Sequence, residues 1–284
     1  MATLAANTYN LKLAFTTWLC PEWTVAAILD GMQSYKYDGV ELILGKGHLH
    51  GIELDTGGDY LTEVRKQFDE ANLAVACLTT HIELSHSDLL ERKKSVEQLK
   101  RALLVAETLG APYISVLGGE VPKHLEITGV VDYVSESLAE AAEQAEQMKS
   151  RAVILLENKP SFAHSRYSLE IMRQVFSKKA GVLWNVLQTI RSLETVEGAF
   201  DALGDHIRHV HVCDCDYNDD RTQIEAANPG TGMMPLGRVV DLLKAGLFRG
   251  YLSVDPLKRD VDADEILPQY AQHLKKLIVA PDEK

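Results

Sequence analysis

Short apolar runs alternate with longer amphipathic stretches from one end of the chain to the other. The apolar runs are nearly continuous, which is typical of strands in a parallel sheet that is covered on both faces. We predict eight strands, at Leu11–Thr17, Gly39–Ile43, Leu73–Thr79, Tyr113–Leu117, Ala152–Leu156, Gly181–Trp184, His206–Val212 and Gly250–Val254.

The amphipathic stretches carry apolar residues at intervals of three and four, as in Leu99, Leu103 and Ala106, and this spacing predicts helices. Gly110 follows one such stretch and predicts its end. We predict one helix after each strand, at Thr24–Ser34, Asp59–Ala71, Leu89–Leu109, Val130–Lys149, Ser168–Phe176, Leu193–Leu203, Leu236–Ala245 and Ala263–Val279.

Eight strand–helix units over about 250 residues match the number of units and the length of a (β/α)8 barrel. A doubly wound open sheet usually has fewer strands and a glycine-rich first turn. No G-x-G-x-x-G motif follows the first predicted strand, so we expect no nucleotide cofactor. No linker rich in Pro, Gly or Ser divides the chain. We therefore predict an α/β protein, a single TIM-barrel domain over residues 1–284 with an extra C-terminal helix.

Composition narrows the partners and the compartment. Of the 284 residues, 46% are hydrophobic and 25% are charged, which is typical of a globular protein. Acidic residues outnumber basic ones 41 to 29, which argues against nucleic acid as a partner. No apolar run approaches the roughly 20 residues of a membrane span. The first ten residues do not resemble a signal peptide, and four cysteines do not make a disulfide scaffold, so we expect a cytoplasmic protein.

Polar side chains close most of the predicted strands. In a (β/α)8 barrel the carboxyl ends of the strands surround the active site, so these side chains should converge on one opening. Such an opening suits a small hydroxylated ligand or a cation. The set is Glu41, Thr80, His81, Glu120, Glu157, Asn158, Lys159, Asn185, Gln188, His211, Asp214 and Asp255. We expect the acidic run that contains Asp214, Asp216, Asp219 and Asp220 to be a solvated loop.

Four of these residues form a candidate metal site, because they close strands five to eight. They supply two carboxylates, an imidazole and an amide oxygen, which are ligands for Mn²⁺ or Mg²⁺. The amide adds no charge to the binding. His209 rivals His211, because it lies on the same alternating face of its strand. The four candidates are Glu157, Asn185, His211 and Asp255.

The sequence resembles the xylose-isomerase-like barrels of the sugar phosphate isomerase/epimerase group over nearly its whole length. Each matching piece is short, but their order and spacing make the resemblance specific for the fold. The pieces are Asp38-Gly39-Val40-Glu41-Leu42, Leu155-Leu156-Glu157-Asn158, Gly181-Val182-Leu183-Trp184, His209-Val210-His211-Val212 with Asp214, Pro229-Gly230-Thr231-Gly232, and Gly250-Tyr251-Leu252-Ser253-Val254.

The resemblance implies a metal site with altered ligands. In that family a Glu, an Asp, a His and a Glu hold one divalent metal. Glu157 and His211 match this pattern, whereas Asn185 stands in place of the Asp and Asp255 in place of the second Glu. Two positions that are often His hold Lys159 and Gln188. Loss of an anionic ligand weakens metal binding, and Lys159 could repel the cation, replace part of its charge or donate a proton.

The resemblance implies an isomerase or epimerase that acts on a sugar or a polyol-derived ketone. Glu157 and Asp255 would remove and return a proton through an enediolate, with Lys159 beside them and a divalent metal assisting. The simpler interpretation is that both carboxylates only pair with Lys159, Lys258 or Arg259. Expected substrate contacts are Trp18, Glu41, His81 and Gln188, although Glu41 could instead cap a loop and Trp18 could belong to the core.

Two alternatives share this fold. A lyase that dehydrates a keto-inositol or a keto-sugar would use the same enolate chemistry with a different leaving group. A catalytically disabled barrel that binds a carbohydrate or a partner protein is favoured by Asn185 and Gln188. The DNA-repair endonucleases of the superfamily need several zinc ions, and the altered ligands and the net charge argue against that branch. A homodimer is expected only by family analogy.

Overall fold

The structure is a computed structural model that describes residues 11–218, 220, 223–258 and 261–279. Eight parallel strands form a closed barrel in the order β1-β2-β3-β4-β5-β6-β7-β10, in which Lys12 of β1 pairs with Tyr251 of β10. The barrel strands are β1 Lys12–Thr16, β2 Gly39–Ile43, β3 Ala74–Glu83, β4 Tyr113–Gly119, β5 Val153–Pro160, β6 Ala180–Asn185, β7 Ile207–Val212 and β10 Tyr251–Val254; a separate hairpin holds β8 Cys215–Tyr217 and β9 Ile224–Ala226.

Helices surround the barrel and include all eight of the predicted ones. They are α1 Val25–Tyr35, α2 Gly58–Glu70, α3 Leu89–Leu109, α4 Ile127–Gln147, α5 Ser165–Val175, α6 Val186–Arg191, α7 Val196–Leu203, α8 Leu236–Ala245 and α9 Ala263–Val279. Gly110 ends α3 in the left-handed conformation, as predicted. Within the described ranges, no helix is long and apolar enough to cross a bilayer.

Three of the predicted helices begin three residues from their observed starts, with α4 and α5 starting earlier than predicted and α7 later. The sequence predicts a helix at Leu193–Leu203, but α7 starts only at Val196, where the Thr195 side chain accepts a hydrogen bond from the Gly198 N–H. Leu193 has a left-handed φ of 59° and its side chain is 93% exposed. The separate six-residue helix α6 precedes it, directly after β6, and is too short for apolar periodicity to predict.

The fold separates an apolar shell from a polar barrel interior. Outward strand residues pack on the helices. On α3, for example, Leu99 and Leu103 are fully buried in the main core. Alternate residues point inward. His209 therefore lies between the rings of Tyr113 and Tyr251, at centroid distances of 6.2 and 6.3 Å. This alternation sends both Glu157 and Lys159 of β5, and both histidines of β7, toward the same interior.

The acidic run after β7 is not simply a solvated loop, because Asp214 is buried. Its carboxylate accepts hydrogen bonds from four backbone N–H groups, at Cys215, Gly230, Gly232 and Met234. Its own N–H donates to the Tyr270 hydroxyl. Asp216 is exposed on β8, and Asp219 lies outside the described residues. Asp214 thus attaches the loop before α8 to the carboxyl end of the barrel.

Candidate active site

A cavity of about 380 Å³ opens at the carboxyl ends of the barrel strands. The predicted residues Trp18, His81, Glu157, Lys159, Asn185, Gln188, His211 and Asp255 all line it. The structure therefore brings together eight side chains that the sequence predicted for the site. Thr16, Ile43, Thr79, Thr80, Leu117, Leu187, Arg191, Pro256 and Leu257 complete the wall.

Glu41 fixes the orientation of His211 from below the cavity. Its Oε2 atom lies 2.8 Å from Nε2 of His211 and 2.9 Å from Nε2 of His209. An ionised carboxylate only accepts hydrogen bonds, so both Nε2 atoms carry the hydrogen. The other oxygen of Glu41 accepts from the Thr79 hydroxyl. The Nδ1 atom of His211 is consequently the one that faces the cavity.

Two carboxylates face that nitrogen. Nδ1 of His211 lies 3.5 Å from Oε1 of Glu157 and 3.4 Å from Oδ2 of Asp255. It is buried and makes no hydrogen bond with any described residue. Without a proton, Nδ1 would point its lone pair at two negative carboxylates, which is unfavourable. A positive charge is therefore needed among the three groups, either as a proton on Nδ1 or as a bound cation. The Glu157, His211 and Asp255 ligand atoms all lie within 4.8 Å of one another, which suits one metal ion.

The pKa shifts of these groups reflect their mutual attraction. Burial alone would lower the pKa of His211, but the carboxylates of Glu41 and Asp255 outweigh it and hold that pKa well above its usual value. Burial alone would raise the pKa of Glu157, yet its contacts with His211, Lys159 and Asn185 lower it to about 2. The site without metal therefore consists of charged groups at neutral pH.

The side chain of Asn185 is hydrogen-bonded to neighbouring protein groups, and its role as a metal ligand stays a prediction. Its Nδ2 atom donates to Oε1 of Glu157 at 2.8 Å, and its Oδ1 atom accepts from the Gln188 N–H at 3.3 Å. If the amide were turned over, its oxygen would face Oε1 of Glu157 and its NH₂ group would face the Gln188 N–H. Asn185 therefore caps α6 and gives Glu157 a hydrogen-bond donor, while its oxygen accepts from the Gln188 N–H.

Lys159 provides a second positive neighbour for Glu157. Its Nζ atom lies 3.7 Å from Oε1 of Glu157, and its side chain is 41% exposed. Burial alone would lower the pKa of Lys159, but the charges of Glu157 and Asp255 raise it. Lys159 is consequently a cation at the edge of the site, and its ammonium is available to a bound ligand.

Glu41 does not reach the cavity. Sequence reasoning proposed it as a substrate contact or a loop cap, whereas the carboxylate is fully buried and occupied by His209, His211 and Thr79. The residue missed by the sequence is Arg191, which lines the cavity from the end of α6. Strand-end positions could not reveal it, because it lies six residues beyond β6 on a helix that apolar periodicity does not predict.

The remaining predicted contacts lie on the cavity wall. The rings of Trp18 and His81 are 6.4 Å apart, centroid to centroid, and tilted by 45°. Gln188 is buried beside Asn185. These groups offer an aromatic surface and an amide to a ligand that sits above Glu157 and His211.

A closed parallel barrel with a polar cavity of carboxylates and imidazole at its carboxyl end defines a (β/α)8 barrel with its site in the usual place for enzymes of this fold. The family model for xylose isomerase-like TIM barrels matches residues 29–277, and the chain belongs to this family. The resemblance seen in the sequence is thereby confirmed. The chain is 22% identical to fructoselysine 3-epimerase of Shigella flexneri over 259 residues, covering 87% of this chain and 91% of that protein.

Solved structures share the fold at lower identity. The IOLI protein, solved with a bound zinc atom, superposes with a TM-score of 0.80 at 17% identity, covering 94% of this chain and 98% of that one. The probable 3-DHS dehydratase AsbF of Bacillus anthracis superposes with a TM-score of 0.77 at 14% identity, covering 93% and 99%. At such identities the likeness concerns the fold.

Proposed function

We propose that this protein is an epimerase or isomerase of a sugar or polyol-derived ketone that works by proton transfer with a divalent cation. The observation that carries the proposal is the Nδ1 atom of His211 between the carboxylates of Glu157 and Asp255, at 3.5 and 3.4 Å. The relationship to a 3-epimerase over 87% of the chain supports the same reaction class.

The residues present fit a cation with three protein ligands. Glu157, His211 through Nδ1, and Asp255 would hold it, and open positions would remain for substrate oxygens. Glu41 supports this set because it keeps the hydrogen of His211 on Nε2. When bound, the cation would polarise the substrate carbonyl and acidify the adjacent C–H bond.

We assign the transfer of the substrate proton to the carboxylates of Glu157 and Asp255. Both side chains line the cavity, and Asp255 is the more open, with 19% of its side chain exposed against 4% for Glu157. One would remove the proton next to the carbonyl, and the other would return it on the opposite face of the enediolate. Lys159 lies close enough to stabilise the negative charge that develops on an oxygen between them.

Solvent exchange tests the proposal. Purified protein is analysed for bound metal, stripped with a chelator, reloaded with Mn²⁺ and incubated in D₂O with ketohexoses, keto-inositols and sugar acids that carry a ketone. Deuterium should enter the carbon next to the carbonyl of at least one substrate, only with metal present. Glu157→Gln and Asp255→Asn should each lower exchange by about 10²-fold or more, since each removes a proton-transfer group.

Glu97→Gln is the matched control, because Glu97 is exposed on α3, outside the cavity. Its exchange rate should equal that of the unaltered protein. If no substrate exchanges deuterium with Mn²⁺ or with other divalent metals, the enzyme proposal fails and the ligand-binding barrel takes its place. Loss of water from an exchanging substrate would assign the protein to the lyase alternative.

A further inference from the structure

The charges that line the cavity differ from those of the chain as a whole. The chain has a net charge of −12. In the cavity the carboxylates of Glu157 and Asp255 are balanced by Lys159 and Arg191. A bound dication makes the balance positive even when the buried carboxylate of Glu41 beside His211 is counted, so this acidic protein would have a cavity that attracts anions.

Arg191 has a defined place on the wall of this cavity. It ends α6, whose first turn is held by the Asn185 side chain on the Gln188 N–H. Helix α6 is also attached to β6, because the Trp184 indole donates to the Thr189 hydroxyl at 2.9 Å. The position of the Arg191 backbone relative to Glu157 and His211 is therefore fixed by the fold.

The guanidinium of Arg191 is exposed and makes no ion pair within the part of the chain that the structure describes. Among the described residues, no carboxylate pairs with it and no backbone carbonyl of α6 accepts a hydrogen bond from it. Its charge acts on the end of β7, where it partly offsets the burial that raises the pKa of Cys213 and Cys215. Arg191 thus lies beside the strand that carries His211, with its donors available to a ligand.

The chemistry of this group points to a carboxylate. Guanidinium donors form a planar fork that matches two carboxylate oxygens. A bound dication and Lys159 would face the negative charge of an enediolate. The single charge of Arg191 then remains for a group with one negative charge, whereas a phosphate monoester carries nearly two.

We infer that Arg191 binds a carboxylate on the substrate, at the end remote from the carbon that exchanges its proton, so that the substrate is a sugar acid rather than a neutral ketose. This inference rests on the proposed function for the reaction at Glu157 and Asp255. In this arrangement the reacting carbons of the substrate lie at the floor of the cavity, and its carboxylate lies on the side formed by α6.

Binding of unreactive ligands tests the inference without turnover. Gluconate and glucitol differ only in that a carboxylate replaces one terminal CH₂OH group. We expect the Mn²⁺-loaded protein to bind gluconate about tenfold or more tightly than glucitol in isothermal titration calorimetry. Arg191→Gln should abolish most of this preference, and Arg191→Lys should keep part of it, because the charge remains without the fork.

Arg173→Gln is the control, since Arg173 is exposed in the last turn of α5, outside the cavity. It should preserve the preference for gluconate. The inference is overturned if gluconate and glucitol bind equally, if the preference survives Arg191→Gln through the metal, or if glucitol 6-phosphate binds more tightly than gluconate. If gluconate binding depends on Arg191 but no substrate exchanges deuterium, only the proposed reaction is overturned.

Discussion

The Nε2 atom of His211 lies 2.8 Å from Oε2 of Glu41, inside the barrel and below the cavity. Glu41 is on β2 and His211 on β7, so the contact crosses the barrel interior. It fixes the tautomer of His211, turns Nδ1 toward Glu157 and Asp255, and makes the imidazole a stronger ligand. A buried residue that touches no substrate thereby prepares the candidate metal site.

Glu41→Gln should weaken Mn²⁺ binding about 10–100-fold, which is the usual cost of altering a group behind a histidine ligand. The glutamine amide can still accept a hydrogen bond from the imidazole of His211, but it carries no negative charge that would polarise the ring. Titration of metal-stripped protein gives the dissociation constant, and Glu97→Gln serves as the control. An unchanged constant in Glu41→Gln would mean that His211 does not bind the metal.

Metal binding should release about one proton from His211. The pKa of His211 is raised by Glu41 and Asp255, so Nδ1 is protonated at neutral pH in the metal-free protein. That proton stabilises the metal-free fold at low pH, and its contribution is lost as pH rises through the folded-state pKa. Because the metal replaces the proton, its apparent affinity should rise about tenfold per pH unit below that pKa.

Calorimetry in buffers of different ionisation enthalpy counts the released protons. His211→Gln removes the titrating group and should abolish the release together with most of the affinity. Metal binding without proton uptake or release, or an affinity that does not change between pH 6 and 8, would contradict this assignment.

Asn185→Asp should raise metal affinity and lower the stability of the metal-free protein. The new carboxylate oxygen would replace an N–H donor that lies 2.8 Å from Oε1 of Glu157, so two negative oxygens would meet unless a cation joins them. Aspartate can still cap α6. The double variant with Gln188→His should raise the affinity as well. Melting temperatures with and without Mn²⁺ measure both effects, and an unchanged metal affinity would show that residue 185 lies outside the site.

Asp214→Asn should destabilise the fold by roughly 2–5 kcal/mol. An amide group would replace one of the two oxygens that accept from Gly230, Gly232, Cys215 and Met234, leaving buried N–H groups without an acceptor. Urea denaturation measures the loss. Asp216→Asn is the control, because exposed Asp216 accepts from the Tyr217 N–H alone among the described residues, and asparagine can do the same. Equal stability of the two variants would contradict the anchoring role of Asp214.

The sequence predicted the elements well where a single physical pattern controls them. Helix α3 occupies Leu89–Leu109 as predicted, because its apolar spacing and Gly110 agree on where it ends. Strand β2 occupies Gly39–Ile43, also as predicted. Local patterns failed at α6 and at the β8–β9 hairpin, since six-residue helices and three-residue strands carry too few side chains to show a period.

The sequence by itself determined the barrel and the group of strand ends that face one cavity, because eight alternating strands and helices dictate the barrel and the carboxyl ends of its strands meet at one opening. Only the tertiary structure decided what each polar group does there. Glu41 supports His211, Asn185 donates a hydrogen bond to Glu157, and Arg191 lies on the cavity wall. These roles depend on side-chain directions and on contacts between residues up to 170 positions apart, and no local pattern in the chain encodes such contacts.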